Sequence, residues 1–214
     1  MTTSTLDRKA RTRAALLASL QDLLLDPQLT TVSVPQVVSR CRVSQGTFYN
    51  HFDSLPAAID AVGALLLAEH TRVLEAVTAG AAGPAEIVAR SARQTLMLLA
   101  YRPDVGRLLF DSGLPADRFL SGVRAHLHRD LRRGIDAGVF AIADFQVVST
   151  IYAGVIMGAS LDIHRGRLPA EAVPAVVKYL LGLLGVDATE ARRLTAAPQD
   201  FVQWRPLPLA SGEI

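Results

Sequence analysis

The sequence predicts an all-α protein with a small N-terminal unit of three helices and a larger helical body. Apolar residues recur at steps of three and four along most of the chain, which is the period of a helix with one buried face. Gly, Pro or Asp stands at nearly every junction between these stretches. The alternation of apolar and polar residues that marks a strand does not persist over any useful length.

Three helices are predicted before residue 54. Two short helices follow the first one, and Ser33 and Ser44 are expected to cap them because a serine hydroxyl can bond the free amides of a first turn. Phe48 and Phe52 lie four residues apart and are expected in one core. The first helix is predicted to end at Asp26-Pro27, and its apolar stripe is Leu6, Ala10, Ala14, Leu17, Leu20 and Leu24.

Ser54 is expected to cap a long fourth helix that ends in the Gly-rich stretch 79–84. Residues 197–214 contain three prolines and are predicted to form an irregular tail. Its composition favours a loose or surface-draped tail, and the alternative is a tail ordered by docking of Trp204 on the body. The further predicted helices span roughly 85–101, 104–112, 116–137, 144–164 and 169–185.

The helix at 144–164 is apolar on two opposite faces, and the helix at 169–185 is similar. A helix that is apolar on both sides must be buried on both sides. A homodimer in which the two helices pair with their copies as a four-helix bundle meets this need. The alternative is a larger core within one chain. The residues predicted for the dimer interface are Val147, Ile151, Gly154, Gly158, Leu161, Val177 and Leu181.

Composition excludes several classes of protein. The chain has 214 residues and a net charge of +2, so nucleic-acid binding would need a local basic patch, and residues 1–13 hold four cations against one acid. The single cysteine, Cys41, excludes a disulfide framework and predicts a reducing compartment. No apolar run approaches the ~20 residues of a membrane span, and the polar N-terminus lacks a secretory signal pattern. A cytoplasmic protein without a membrane partner is expected.

No motif predicts catalysis, a cofactor or a metal. Phosphate-loop, dinucleotide and nucleophile-elbow patterns are missing from the sequence. His126 and His128 point in different directions on a helix, which favours ordinary surface histidines over metal ligands. Cys41 is expected to fill a small space in the core rather than to sense redox state.

Two short helices joined by a tight turn after a basic helix describe a helix-turn-helix. Gln45 can form a bidentate pair with adenine, and Thr47 can offer its methyl group to thymine. Tyr49 and His51 suit phosphate oxygens. Gly46 removes a side chain where another surface approaches the backbone. The residues predicted to bind DNA are Arg8, Arg11, Ser33, Gln36, Arg42, Ser44, Gln45, Thr47, Tyr49, Asn50 and His51.

The run Val43-Ser-Gln-Gly-Thr-Phe-Tyr-Asn-His-Phe52 resembles the recognition-helix signature of the TetR family of bacterial transcriptional regulators. The resemblance implies a helix-turn-helix DNA-binding domain followed by a helical ligand-binding and dimerisation domain. It places the DNA-binding domain at 1–53 and the body at 54–196, before the tail. It also implies a double-stranded DNA operator and a small-molecule effector.

Two residues depart from the family pattern. Arg42 stands in the turn where the family usually has glycine, and a left-handed arginine costs roughly 1 kcal/mol. Either a phosphate contact of Arg42 offsets this cost, or the turn differs from that of the family. Leu55 stands where the family usually has a phosphate-binding lysine. The salt dependence of DNA binding is therefore expected to be lower by about one unit than that of a typical member.

The predicted function is a dimeric, sequence-specific transcriptional regulator, a repressor released from a palindromic operator by a small apolar or mildly anionic ligand. The alternatives are a DNA-binding or interaction module without an effector and, less favoured, a helical ligand-transforming enzyme. Residues that pair an apolar body with a polar or soft tip are the candidates for the ligand pocket: Arg93, Met97, Tyr101, Phe110, Phe119, His126 and Tyr152.

Overall fold

The computed structural model describes the backbone of residues 2–114 and 117–210, and the side chains of residues 8–114 and 119–210. Leu6 of the predicted first stripe and the last four residues of the tail therefore lie outside the described side chains. The regular secondary structure of the described part is entirely helical, which confirms the predicted all-α class.

The structure contains every predicted helix and adds one. A 3-10 turn (Ala170–Ala172) precedes α9, and the helix that sequence reasoning missed is α10, which Asp187 caps by accepting hydrogen bonds from the amides of Thr189 and Glu190. The helices are α1 (Thr2–Leu24), α2 (Val34–Cys41), α3 (Gln45–Tyr49), α4 (Leu55–Thr78), α5 (Pro84–Tyr101), α6 (Pro103–Phe110), α7 (Asp117–Asp136), α8 (Phe145–His164), α9 (Val173–Leu183) and α10 (Ala188–Ala196).

The chain divides into two compact units. Unit 1 comprises residues 1–70, 107–120 and 205–214, and unit 2 comprises residues 71–106 and 121–204. The predicted boundary after residue 53 thus falls inside unit 1, which extends to His70 in α4. The core of unit 1 includes Leu16, Leu17, Leu20, Val37, Phe48, Phe52, Val62 and Leu66.

In unit 2, α5 is the central helix and contacts α8, α9 and α10. Helix α9 also contacts α8 and α10, so it has packed neighbours on several sides. By length and composition alone, α8 is the one helix of the described chain that is apolar enough to cross a membrane. Several of its apolar side chains lie on the surface of the chain.

The described part of the tail, residues 197–210, is irregular, as predicted. Trp204 and Leu209 are both buried, so the favoured expectation of a loose tail was wrong and the docked alternative is confirmed for the described residues. The physical reason is that burial of the apolar side chains of the tail is favourable and that its backbone groups are hydrogen-bonded by side chains of the helices. Gln94, for example, bonds both the amide and the carbonyl of Val202.

Candidate DNA-binding site

Helix α2 leads into the site. The Oε1 atom of Gln36 accepts hydrogen bonds from the amide of Ser33 (2.8 Å) and from its hydroxyl (2.7 Å). Pro35 stands in the first turn, where its missing amide proton costs nothing. Ser33 and Gln36 are therefore engaged with each other in a capping interaction, and both side chains remain half-buried.

The turn between α2 and α3 depends on Arg42. Arg42 has φ 56° and ψ 44°, and it is the only non-glycine residue with positive φ among the described residues. Its amide donates to the carbonyl of Ser39, and the amide of Val43 donates to the carbonyl of Val38. This left-handed end of α2 allows the chain to turn directly into α3, and the Arg42 side chain is exposed.

Replacing Arg42 with glycine separates the conformational strain of this turn from the contribution of the arginine charge to DNA binding. We expect Arg42→Gly to raise the free energy of unfolding by about 1 kcal/mol, because glycine adopts positive φ without steric strain. We also expect weaker DNA binding, with a salt dependence reduced by about one unit, because one cation is lost. Chemical denaturation and a salt series of DNA titrations measure the two effects.

Arg42→Lys is the matched control, since it keeps both the charge and the strain. It should leave the stability and the salt dependence close to those of the wild type. A glycine variant with unchanged DNA binding would show that Arg42 makes no phosphate contact.

Helix α3 presents one face inward and one face outward. Ser44 caps it by accepting from the amide of Thr47 at 3.1 Å. Phe48 is 0% exposed, whereas the neighbouring Tyr49 is 53% exposed with its ring edge-on to that of Phe48. Gln45 and Asn50 are also exposed. The packing of two phenylalanines into unit 1 therefore directs a polar, hydrogen-bonding face to the surface.

Gly46 has no structural explanation within the chain. A Cβ atom at Gly46 would meet only the Ser44 hydroxyl, at an ordinary distance of 3.7 Å. Glycine costs a helix roughly 1 kcal/mol relative to alanine. An exposed helical glycine that the chain itself does not require is consistent with close approach by another surface.

We expect Gly46→Ala to stabilise the chain by about 0.5–1 kcal/mol and to weaken DNA binding at least tenfold. The first effect follows from helix propensity, and the second from a methyl group at the approaching surface. Gly63→Ala in α4 is the matched control, because its Cβ would meet nothing within 4 Å. Gly63→Ala should alter stability alone, and equal DNA affinities of the two variants would contradict the proposed approach at Gly46.

Two more of the four N-terminal cations, Lys9 and Arg13, belong to this site, although the predicted set of DNA-binding residues took only Arg8 and Arg11 from α1. Burial lowers the pKa of His51, and the charges of Lys9 and Arg13 lower it further, so both cations lie near this imidazole. The guanidinium of Arg13 also lies 5.0 Å from the centre of the Phe52 ring. Their spacing of four residues on α1 was the available signal. Arg8 and Arg11, which were predicted to bind DNA, lie on the same helix and are exposed.

The candidate ligand residues fall in both units. Arg93, Met97 and Tyr101 lie together on α5 beside the tail, and the edge of the Tyr101 ring faces Phe201 at 6.1 Å. Arg93 donates to the carbonyl of Ala197 at 2.8 Å, its guanidinium lies 6.0 Å from the Phe201 ring, and burial lowers its pKa. Within the described part of the chain, Arg93 makes no ion pair.

The other four candidates lie elsewhere. Phe110 and Phe119 belong to unit 1, where the Phe119 ring packs edge-on to His70 at 5.7 Å. In unit 2, His126 has a buried Nδ1 atom without a hydrogen-bond partner. Tyr152 is buried, and both that burial and the charge of Asp130 raise the pKa of its hydroxyl.

The predicted dimer residues divide into two groups. Val147 and Ile151 are 52% and 46% exposed, Gly154 and Gly158 are exposed, and Leu161 is half-buried. Val177 and Leu181 are 0% exposed, so their prediction as interface residues is corrected. They face the core because α9 packs against α5, α8 and the unpredicted α10. The exposed residues of α9 are instead Pro174, Ala175, Lys178, Tyr179 and Gly182.

Among the described residues, no group of three or more His, Cys, Asp or Glu side chains is arranged to hold a metal ion. Cys41 is half-buried, and its thiol lies 2.9 Å from the Ser19 hydroxyl and 3.2 Å from the Ala15 carbonyl. These contacts place Cys41 between α1 and α2 as a small packing residue.

Comparison with known proteins gives one family match and several similar folds. The family model described as Tetracyclin repressor-like, C-terminal domain matches residues 83–197, which is more than half of the chain. No curated protein sequence matches the chain.

Solved structures share the fold at low sequence identity. A structure of RolR in complex with the ligand resorcinol is 22% identical, covers 94% of this chain and 100% of its own, and has a TM-score of 0.69. The fatty acid degradation regulator FadR from Bacillus halodurans is 15% identical, covers 80% and 95%, and has a TM-score of 0.65. A TetR family transcription regulator from Marinobacter aquaeolei VT8 is 15% identical, covers 85% and 98%, and has a TM-score of 0.62.

Proposed function

Because the chain belongs to the TetR-like family of ligand-responsive transcription regulators, we propose that it is a dimeric transcriptional repressor that binds a palindromic operator through α3. The exposed polar face of α3 carries the proposal, since Gln45, Tyr49 and Asn50 point outward while Phe48 anchors the helix. The regulator acts in the cytoplasm, and its function requires no reaction and no cofactor.

The two recognition helices of a dimer read two half-sites about one turn of DNA apart. In each half-site, Gln45 and Thr47 contact base edges, and Tyr49, His51 and Arg42 contact phosphates. Lys9 and Arg13 add positive charge beside His51 and strengthen the attraction to the DNA backbone. Base contacts supply specificity in this arrangement, and the cations supply affinity that depends on salt.

The exposed apolar surface of α8 and α9 supports a homodimer. Val147, Ile151 and Val155 on α8 and Tyr179 on α9 are large apolar side chains exposed in the single chain. A Cβ atom at Gly154, Gly158 or Gly182 would meet nothing within 4 Å, so packing within one chain does not require glycine there. Pairing with a second copy covers the apolar surface and uses the close approach that glycine allows, which also explains the apolar character of α8 without a membrane.

The proposed effector is a small, mildly anionic or neutral molecule with an apolar body. Arg93 supports it, because a half-buried guanidinium beside the Phe201 ring and without an ion pair suits an apolar anion. The ligand in the solved RolR complex, resorcinol, is small and aromatic, which is consistent with this class. Binding shifts the population toward a conformation in which α4, which runs from unit 1 into unit 2, no longer presents the recognition helices at operator spacing.

Selection of genomic fragments by the purified protein at physiological salt tests the function. We expect one palindromic sequence to be enriched, and addition of small aromatic acids and phenols to the bound complex to identify a releasing ligand. Binding that is independent of sequence and disappears at physiological salt would contradict the proposal. Specific binding that no small molecule alters would favour a DNA-binding module without an effector.

A further inference from the structure

The C-terminal strap, residues 202–209, begins beyond the segment that the family model matches. It has no regular secondary structure, yet side chains from the helical body hold its backbone at several points. Arg72 donates to the carbonyl of Gln203 at 3.0 Å, and Arg102 donates to the carbonyl of Trp204 at 3.1 Å. The strap is therefore bound through its backbone as well as through its apolar side chains.

The first end of the strap is held in unit 2. The buried side chain of Gln94 on α5 accepts from the amide of Val202 at 3.0 Å and donates to its carbonyl at 2.9 Å. Both hydrogen-bonding groups of one strap residue are thus matched by one glutamine amide. The indole of Trp204 is buried two residues further on.

The second end is held in unit 1 by the same device. The buried side chain of Gln21 on α1 accepts from the amide of Leu209 at 2.8 Å and donates to its carbonyl at 3.0 Å. Between the two ends, the buried carboxylate of Glu69 accepts from the amide and from the Nε atom of Arg205, each at 2.8 Å. The boundary between the units falls between Trp204 and Arg205.

These contacts make release of either end costly. If Leu209 leaves, the buried amide of Gln21 loses two partners, and Gln94 loses two partners if Val202 leaves. Loss of these hydrogen bonds is unfavourable, because a buried polar atom without a partner destabilises the folded chain. Eight residues of covalently continuous chain thus have one strong attachment in each unit.

We propose that the strap is an intramolecular tie that couples unit 1, which contains the helix-turn-helix, to unit 2, which contains Arg93 of the proposed effector site. Gln94 is adjacent on α5 to the Arg93 and Met97 side of the proposed effector site, and Gln21 lies on α1, which packs against α2 of the helix-turn-helix. Loss of one attachment makes the strap less stably bound at the other. The inference rests on the proposed function, because it assigns to the strap the transmission that such a regulator requires.

Hydrogen exchange at the two attachments tests the tie without DNA or effector. In Gln94→Met, we expect the amide of Leu209, seven residues away and bound in the other unit, to exchange at least tenfold faster than in the wild type. In Gln21→Met, the amide of Val202 should respond in the same way. Thr195→Val is the matched control, because its buried hydroxyl bonds only within α10 and should affect neither amide.

A second variant keeps the test independent of core packing. Val202→Pro removes one donor from the strap itself and leaves Gln94 in place, so it should accelerate exchange at Leu209 even if Gln94→Met fails to fold. Acceleration confined to the altered attachment in every folded variant would overturn the proposal, because the two ends would then be independent anchors.

DNA affinity measures whether regulation uses the tie. We expect Gln94→Met to bind the selected operator at least fivefold more weakly than the wild type. Once the strap is released, part of the free energy of DNA binding is spent on ordering the chain again. Thr195→Val should bind as the wild type does. Coupled exchange with unchanged operator affinity would overturn the regulatory role. A wild-type chain that binds no duplex specifically would contradict the proposed function, and the tie would then be decided by exchange alone.

Discussion

Ile151→Asp is expected to convert the dimer to monomers and to weaken operator binding by about 10²–10⁴-fold. Ile151 is 46% exposed in the single chain, so aspartate is readily solvated there and the fold should remain intact. In the dimer, the same carboxylate would be buried against apolar side chains, which is strongly unfavourable. Operator affinity falls because two linked recognition helices bind far more tightly than one. Sedimentation and operator titration measure the two effects.

Gln146→Asp is the control for charge, since Gln146 is exposed on another face of the same helix. It should remain dimeric and bind the operator normally. A dimeric Ile151→Asp protein with full operator affinity would show that the apolar surface of α8 is not the dimer interface.

Gln45→Ala is expected to remove base recognition while leaving the fold unchanged. Gln45 is exposed, so its truncation should alter the thermal midpoint very little. A bidentate pair with a base contributes about 1–3 kcal/mol of discrimination, which corresponds to roughly a 5- to 150-fold loss of operator affinity. Affinity for a scrambled duplex should stay the same, because phosphate contacts do not involve this side chain.

Gln146→Ala provides the matched glutamine control in unit 2 and should not change either affinity. An equal loss on the operator and on the scrambled duplex would indicate that Gln45 contacts the backbone rather than a base. No loss on either duplex would exclude Gln45 from the DNA interface.

The N-terminal unit could be predicted well because its signals are local. Ser44 caps α3, Pro35 stands in the first turn of α2, and Phe48 and Phe52 share one buried side, each as the sequence indicated. Arg42 adopts the left-handed conformation, which was one of the two alternatives for this turn. These features depend on residues that are close in sequence, so the local sequence pattern predicts them.

The residues predicted for a dimer interface are exposed or half-buried on α8 but buried on α9, because the missed helix α10 changes the surroundings of α9. A helix with a broad apolar stripe has adjacent rows that sequence periodicity cannot assign to the core or to a partner. With α10 packed on α9, Val177 and Leu181 turn inward and Tyr179 becomes exposed. Which row of an apolar helix lies outside depends on all of its neighbours.

The tail and the ligand residues were the least predictable, since they depend on contacts between residues distant in sequence. Leu209 meets Gln21 across 188 positions, and Val202 meets Gln94 across 108. Neither glutamine carries a sequence signal that distinguishes it from an exposed one. The candidate ligand residues were chosen by side-chain type, which does not predict that Phe119 and Tyr101 belong to different units.

The most direct test of the central claim is the ratio of affinities for the selected palindrome and for a scrambled duplex of equal length and composition, measured at physiological salt. We expect the palindrome to bind two chains and to be favoured by at least 10³-fold, which is typical of specific regulators. Equal affinities, or binding of a single chain to the palindrome, would contradict the account of α3 as a recognition helix presented by a dimer.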